Sequence, residues 1–181
     1  PRPAVAGGQR WALAIGAVVL VVGHETDRKF LFAAGGATVV VAMVALGFIV
    51  IRILRQAVTD RFAPAIEAYV AAVVAGAVGM SLGIVLGVGR GGSRNVEIRG
   101  AHLVLNVFGL VGLVIAATLP YFAATQVRSK MSSRATPTTM RITFFVLAAA
   151  TAVAASGQIL GRSGVAAGGL ITYAMGLLVV A

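Results

Sequence analysis

"FLFAAGGATVVVAMVALGFIVI", residues 30–51, decides the fold class: it holds no Asp, Glu, Lys or Arg and no helix breaker other than glycine. A helix of about 20 such residues crosses the hydrocarbon core of a bilayer. Nothing in the stretch alternates, so it offers no polar face to water. The rest of the chain agrees. Of 181 residues, 59% are hydrophobic and 11% charged, with a mean hydropathy of +0.99. A water-soluble domain carries about 25% charged residues. The reading is an all-α, polytopic transmembrane helix bundle.

Working outward, the same length criterion finds five further spans. They lie near residues 9–23, 67–89, 101–126, 142–161 and 165–181, giving about six with 30–51 and a single transmembrane domain over 1–181. "HETDRK", "RGGSRNVEIRG" and "VRSKMSSRATPTTMR" read as the loops between spans. Between the second and third spans, Leu54, Val58, Phe62 and Ile66 recur every four residues among polar ones. That pattern suits a basic amphipathic helix on the membrane surface, or a continuation of the second span into water. Proline at position 1 and the apolar end "MGLLVVA" read as a piece of a longer chain.

The net charge of +10 comes from 15 Lys and Arg against 5 Asp and Glu. The basic residues flank apolar runs, where they meet lipid headgroups, and no basic cluster is interleaved with exposed aromatics. The partner implied is the lipid bilayer of the cell membrane, and nucleic acid is excluded. Arg2, Arg10, Arg52, Arg55, Arg61, Arg128, Lys130, Arg134 and Arg141 fall on one side, nine in all. Arg28, Lys29, Arg90, Arg94, Arg99 and Arg162 fall on the other, which makes six. The positive-inside rule then places the amino terminus inside.

Polar side chains in apolar spans are costly, so each asks for a partner. His102 stands at the outer end of the fourth span with Asn106 four residues on, on one helical face. His24 closes the first span on the same side, and Gln158 lies three residues before the end of the fifth. These four share a depth zone. Neutral imidazole is a ligand for heme iron and copper, and an amide beside it can fix its orientation. Two histidines fall short of the three or four ligands zinc takes, and the absence of cysteine excludes thiolate sites. Met43, Met80 and Met175 could add soft copper ligands or simply pack. Glu67 at the start of the third span reads as a salt link to Arg52, Arg55 or Arg61, and Pro120 as a kink that frees the Ala116 carbonyl. No buried acid near a span centre supports proton-coupled transport, which leaves a small-molecule transporter as the third reading.

In the third span Gly79, Gly83 and Gly87 repeat every four residues, with Gly76 one turn before. Such a ridge lets a neighbouring helix approach closely, whether from this chain or from a second protein. A cofactor-free structural or assembly subunit is the reading that this ridge carries.

The stretch "AHLVLNVFGLVGLVIAATLPYFAATQVRSKM" resembles the membrane region of actinobacterial membrane-bound proteins that carry copper-oxidase (cupredoxin-type) domains. The pattern A-H-x-x-L-N-x-x-G-x-V-G-L is matched at His102, Leu105, Asn106, Gly109, Val111, Gly112 and Leu113. A looser similarity extends to heme-copper oxidase subunits and to heme- and copper-containing membrane proteins of the nitric oxide response. The resemblance implies an outer-leaflet heme or copper site at His102, with Asn106 as its neighbour. It also implies electron transfer or metal handling beside a cupredoxin-type or membrane-protein partner. The family pattern often has a second histidine two residues earlier, where this chain has Gly100.

Overall fold

The computed structural model describes residues 3–56, 62–126, 128 and 135–180. Among these residues every element is helical. α1 (Pro3–Glu25) and α2 (Lys29–Gln56) form a first hairpin, and α3 (Ala63–Gly87) returns through the middle of the bundle. A 3-10 turn (Gly92–Arg94) leads to α4 (Asn95–Val104), which runs without interruption into a π-helical segment (Leu105–Gly112) and then α5 (Leu113–Gln126). These three pieces make one rod. α6 (Pro137–Ile159) and α7 (Ser163–Val180) form the closing hairpin.

Five helical rods are long and apolar enough to cross a membrane: Ala4–Glu25, Lys29–Gln56, Ala63–Gly87, Gly92–Ala123 and Pro137–Ile159. α7, apolar over Ser163–Val179, is shorter. α2 continues as a helix through Gln56, so the surface-helix reading loses its first residues to that span. Val58 and the rest of 57–61 lie outside the described residues, as does most of the loop after Gln126. The segment 95–100, expected to be loop, is the first turn and a half of α4.

The core sits where α3, α5 and α6 meet. Ala68 and Ala72, Leu113 and Ala117, and Phe144 and Leu147 bury one another there, with Tyr173 of α7 closing the cluster. Small side chains on α3 and α5 let the larger ones of α6 reach the axis. α1 lies against α2 alone for most of its length, and Trp11, Ile15 and Val18 face outward. An apolar exterior is what a bilayer solvates, so these faces need no protein cover.

Several threonine hydroxyls within the spans are satisfied locally. Thr38, Thr118, Thr143, Thr151 and Thr172 each donate to the carbonyl four residues back, at 2.6–3.0 Å. Three helix ends at one end of the bundle share a left-handed cap, at Asp27 (φ 52°), Gly89 (φ 76°) and Gly161 (φ 65°). In each, the next residue's N–H returns to a carbonyl five residues back: Arg28 to Gly23, Arg90 to Val85, and Arg162 to Gly157. These caps turn the chain back sharply. They set His24, the start of α4 and the end of α6 at the same end of the bundle.

Candidate functional site

The glycine ridge of α3 and the polar pair of α4 form one construction. A Cβ on Gly79 would lie 2.5 Å from Asn106 Nδ2, and one on Gly83 would lie 2.7 Å from His102 Cε1. Each polar side chain of α4 therefore occupies the notch left by one missing methyl on α3. Gly76 receives Met43 from α2 and Leu110 from the π segment, and Gly87 receives the ring of Phe32. All four glycines face helices of this chain.

In its notch His102 is half-buried, and its Nδ1 lies 2.7 Å from the Gly79 carbonyl oxygen. A carbonyl only accepts, so Nδ1 carries the hydrogen and donates it. In the neutral ring this leaves Nε2 with its lone pair. Asn106 Nδ2 donates to the His102 carbonyl at 2.8 Å. Its 3.3 Å approach to Nδ1 brings two donors together and is not a second bond. The amide thus ties its side chain to the backbone of the turn that carries the histidine. The imidazole itself is aimed by Gly79.

Below His102 the helix widens. At the end of the π segment the Leu113 N–H reaches the Phe108 carbonyl, five residues back. That carbonyl also accepts from the Tyr173 hydroxyl of α7 at 3.1 Å, and the Phe108 and Tyr173 rings meet edge to face at 5.3 Å. Gly112 makes the room: a Cβ there would collide with the Tyr173 hydroxyl. Tyr173 was not among the expected site residues. The signal was present, since it is a phenol inside an apolar span and its hydroxyl had to find a partner.

The other expected residues share the end of the bundle but not the face. His24 is exposed on α1, with its ring 6.2 Å from that of Phe32. Gln158 of α6 packs into the gap at Gly100, 2.5 Å from where a Cβ would stand. Gly100 and His102, two residues apart, point to nearly opposite sides of α4. No hydrogen bond or ring contact among the described residues joins His102 to His24 or to Gln158. The position where the family pattern has its second histidine is the gap that Gln158 fills.

A half-buried acid was also overlooked. Glu97, in the first turn of α4, has a buried Oε2 without a hydrogen-bond partner among the described residues. It was hidden because "NVEIRG" reads as loop. Arg94, just before it, donates instead to the Ile159 carbonyl at the end of α6.

As a metal centre the site is narrow. Among the described residues no group of three or more His, Cys, Asp and Glu gathers around one point. Met43 fills the notch at Gly76, Met80 packs beside Val39 and Val73, and Met175 is exposed. Met43 and Met80 thus serve packing within the bundle. Nε2 of this one imidazole would be the donor offered to a heme or a copper ion, and among the described residues His, Cys, Asp and Glu do not complete a set of three around it. Compared with family models, curated proteins and solved structures, the chain matches none.

Proposed function

We propose that this integral membrane module presents His102 as a ligand for heme or copper, serving electron transfer or metal handling beside a partner domain. The observation that carries the reading is the bond from His102 Nδ1 to the Gly79 carbonyl. An imidazole that ligates through Nε2 almost always donates its other ring nitrogen to a carbonyl or carboxylate, which fixes tautomer and orientation. Here the acceptor belongs to the backbone of a packed span, so the aim of the ring is set before any ligand arrives. The resemblance of residues 101–131 to the copper-oxidase membrane region supports the same position. When bound, either group would supply one-electron exchange. This chain would contribute one imidazole nitrogen on a mount fixed by the Gly79 carbonyl.

The test is the visible spectrum and metal content of the full-length protein, purified in mild detergent. We expect a heme band or stoichiometric copper that His102→Ala abolishes and Gln158→Ala leaves in place. Absence of both heme and stoichiometric copper from the full-length protein would falsify the assignment.

A second reading rests on the notches themselves. His102 and Asn106 fill Gly83 and Gly79 closely enough to lock α4 onto α3, as a cofactor-free structural subunit would need. In that case His102→Ala lowers thermal stability without touching any spectrum. Gly83→Leu would then act on the same α3–α4 contact from the other side.

A further inference from the structure

At the opposite end of α3 from His102 lies a cleft of about 400 Å³ between α3 and α6. Glu67 and Arg141 stand at its polar end, and Ala68, Ala71, Phe144 and Ala148 line its apolar body. Arg141 donates from Nε to Glu67 Oε2 and from Nη2 to Oε1, both at 2.8 Å. The pair is still half exposed, with 54% of the Arg141 side chain and 39% of the Glu67 side chain accessible. This is also the partner the sequence reading missed. Arg52 and Arg55 are nearer in the chain, but α3 and α6 begin side by side, which brings position 141 to position 67.

Glu67 and Arg141 each lie about one turn inside the start of their helix, at headgroup depth for helices of this length. The apolar lining runs from there toward the bundle's middle, from Glu67 to Ala71 on α3 and from Arg141 to Ala148 on α6. In hydrocarbon such a cleft is filled by an apolar chain and not by water. Its mouth carries one positive and one negative group side by side. That charge pattern complements a headgroup that itself carries both signs. A phosphate can face the guanidinium while an ammonium donates to the carboxylate, whose oxygens each keep a second lone pair.

We propose that this cleft is a specific site for a diacyl phospholipid with a zwitterionic headgroup bearing a primary ammonium, of the phosphatidylethanolamine type. One acyl chain lies along Ala71 and Ala148, and the headgroup spans Arg141 and Glu67. A quaternary ammonium cannot donate a hydrogen bond to Glu67, so phosphatidylcholine binds less well. An anionic headgroup without a cation leaves the carboxylate facing like charge. The site is independent of the His102 reading.

Native mass spectrometry tests it on the detergent-solubilised protein, titrated with phosphatidylethanolamine, phosphatidylcholine and phosphatidylglycerol of equal chain length. The ethanolamine lipid should be retained about tenfold better than either other, the scale of one charge-assisted hydrogen bond. Glu67→Gln should erase its advantage over phosphatidylcholine. Ala71→Leu, which fills the cleft and spares the ion pair, should remove the retained lipid; Ala148→Leu repeats the test from α6 should the first variant fold poorly. Equal retention of all three lipids means annular lipid only and overturns the proposal. So does a preference for phosphatidylglycerol, or binding that the leucine variants leave untouched.

Discussion

At one end of α3 an imidazole on α4 donates to a backbone carbonyl across a notch with no side chain in it. At the other end a carboxylate on α3 meets a guanidinium on α6, with both charges on flexible stems that stay half in contact with the surroundings. The first contact depends on how closely two backbones approach. The second tolerates their separation, because Arg and Glu side chains can follow a helix that shifts by an ångström. One helix thus carries a stiff contact and a compliant one, and the stiff one holds His102, the proposed ligand. A site that must aim a single nitrogen belongs where the mount cannot drift.

The largest expected effect tests the stiff end. Gly79→Leu puts a branched side chain where Asn106 Nδ2 and the Leu105 Cβ already stand, at 2.5 and 3.1 Å from the first added carbon. The backbones of α3 and α4 cannot absorb this by a rotamer change. Overpacking of this kind costs about 3 kcal/mol, read as a lowered thermal midpoint in detergent. Wild-type stability in this variant would mean that α4 slides freely on α3, and that the contact is no stiffer than the ion pair.

How far the sequence foretold these two ends follows from what each depends on. The spans were legible because apolar length is a local property, and residues 30–51 fall wholly within α2. The ridge at Gly79, Gly83 and Gly87 and the pair His102–Asn106 were both visible, but as separate features with rival meanings. Nothing local says that the notches on one span are spaced for the polar side chains of another. The π segment was illegible for the same reason: its widened turn is steadied by Tyr173, 65 residues from Phe108. The loop assigned to "RGGSRNVEIRG" failed differently. Its charges read as the end of a span, but the helix already starts among them at Asn95, so Glu97 fell from view.

Tyr173→Phe asks whether that widened turn belongs to the stiff region. The substitution removes one hydroxyl, keeps the ring against Phe108, and leaves a small void at Gly112. The Phe108 carbonyl retains its ladder bond from Leu113, so the loss is that of one hydrogen bond, about 1 kcal/mol. If a heme band is present, it should broaden as the turn below His102 relaxes. A drop in stability as large as that of Gly79→Leu would show that the bond from α7, more than the notch, holds the rod in place.

The smallest effect belongs to the compliant end, and its size is what gives the comparison its meaning. Glu67→Gln removes one charge of the pair, with both side chains more than a third accessible, so solvent and salt already screen much of the attraction. The gain from the bidentate geometry is offset by the entropy of ordering two long side chains. The expected loss is about 0.5 kcal/mol, and raising the ionic strength should shrink the gap between variant and wild type. A loss near that of Gly79→Leu would require the pair to be desolvated within the bilayer, where removing one partner strands a charge. The cleft beside it would then be rigid, and both ends of α3 would be stiff.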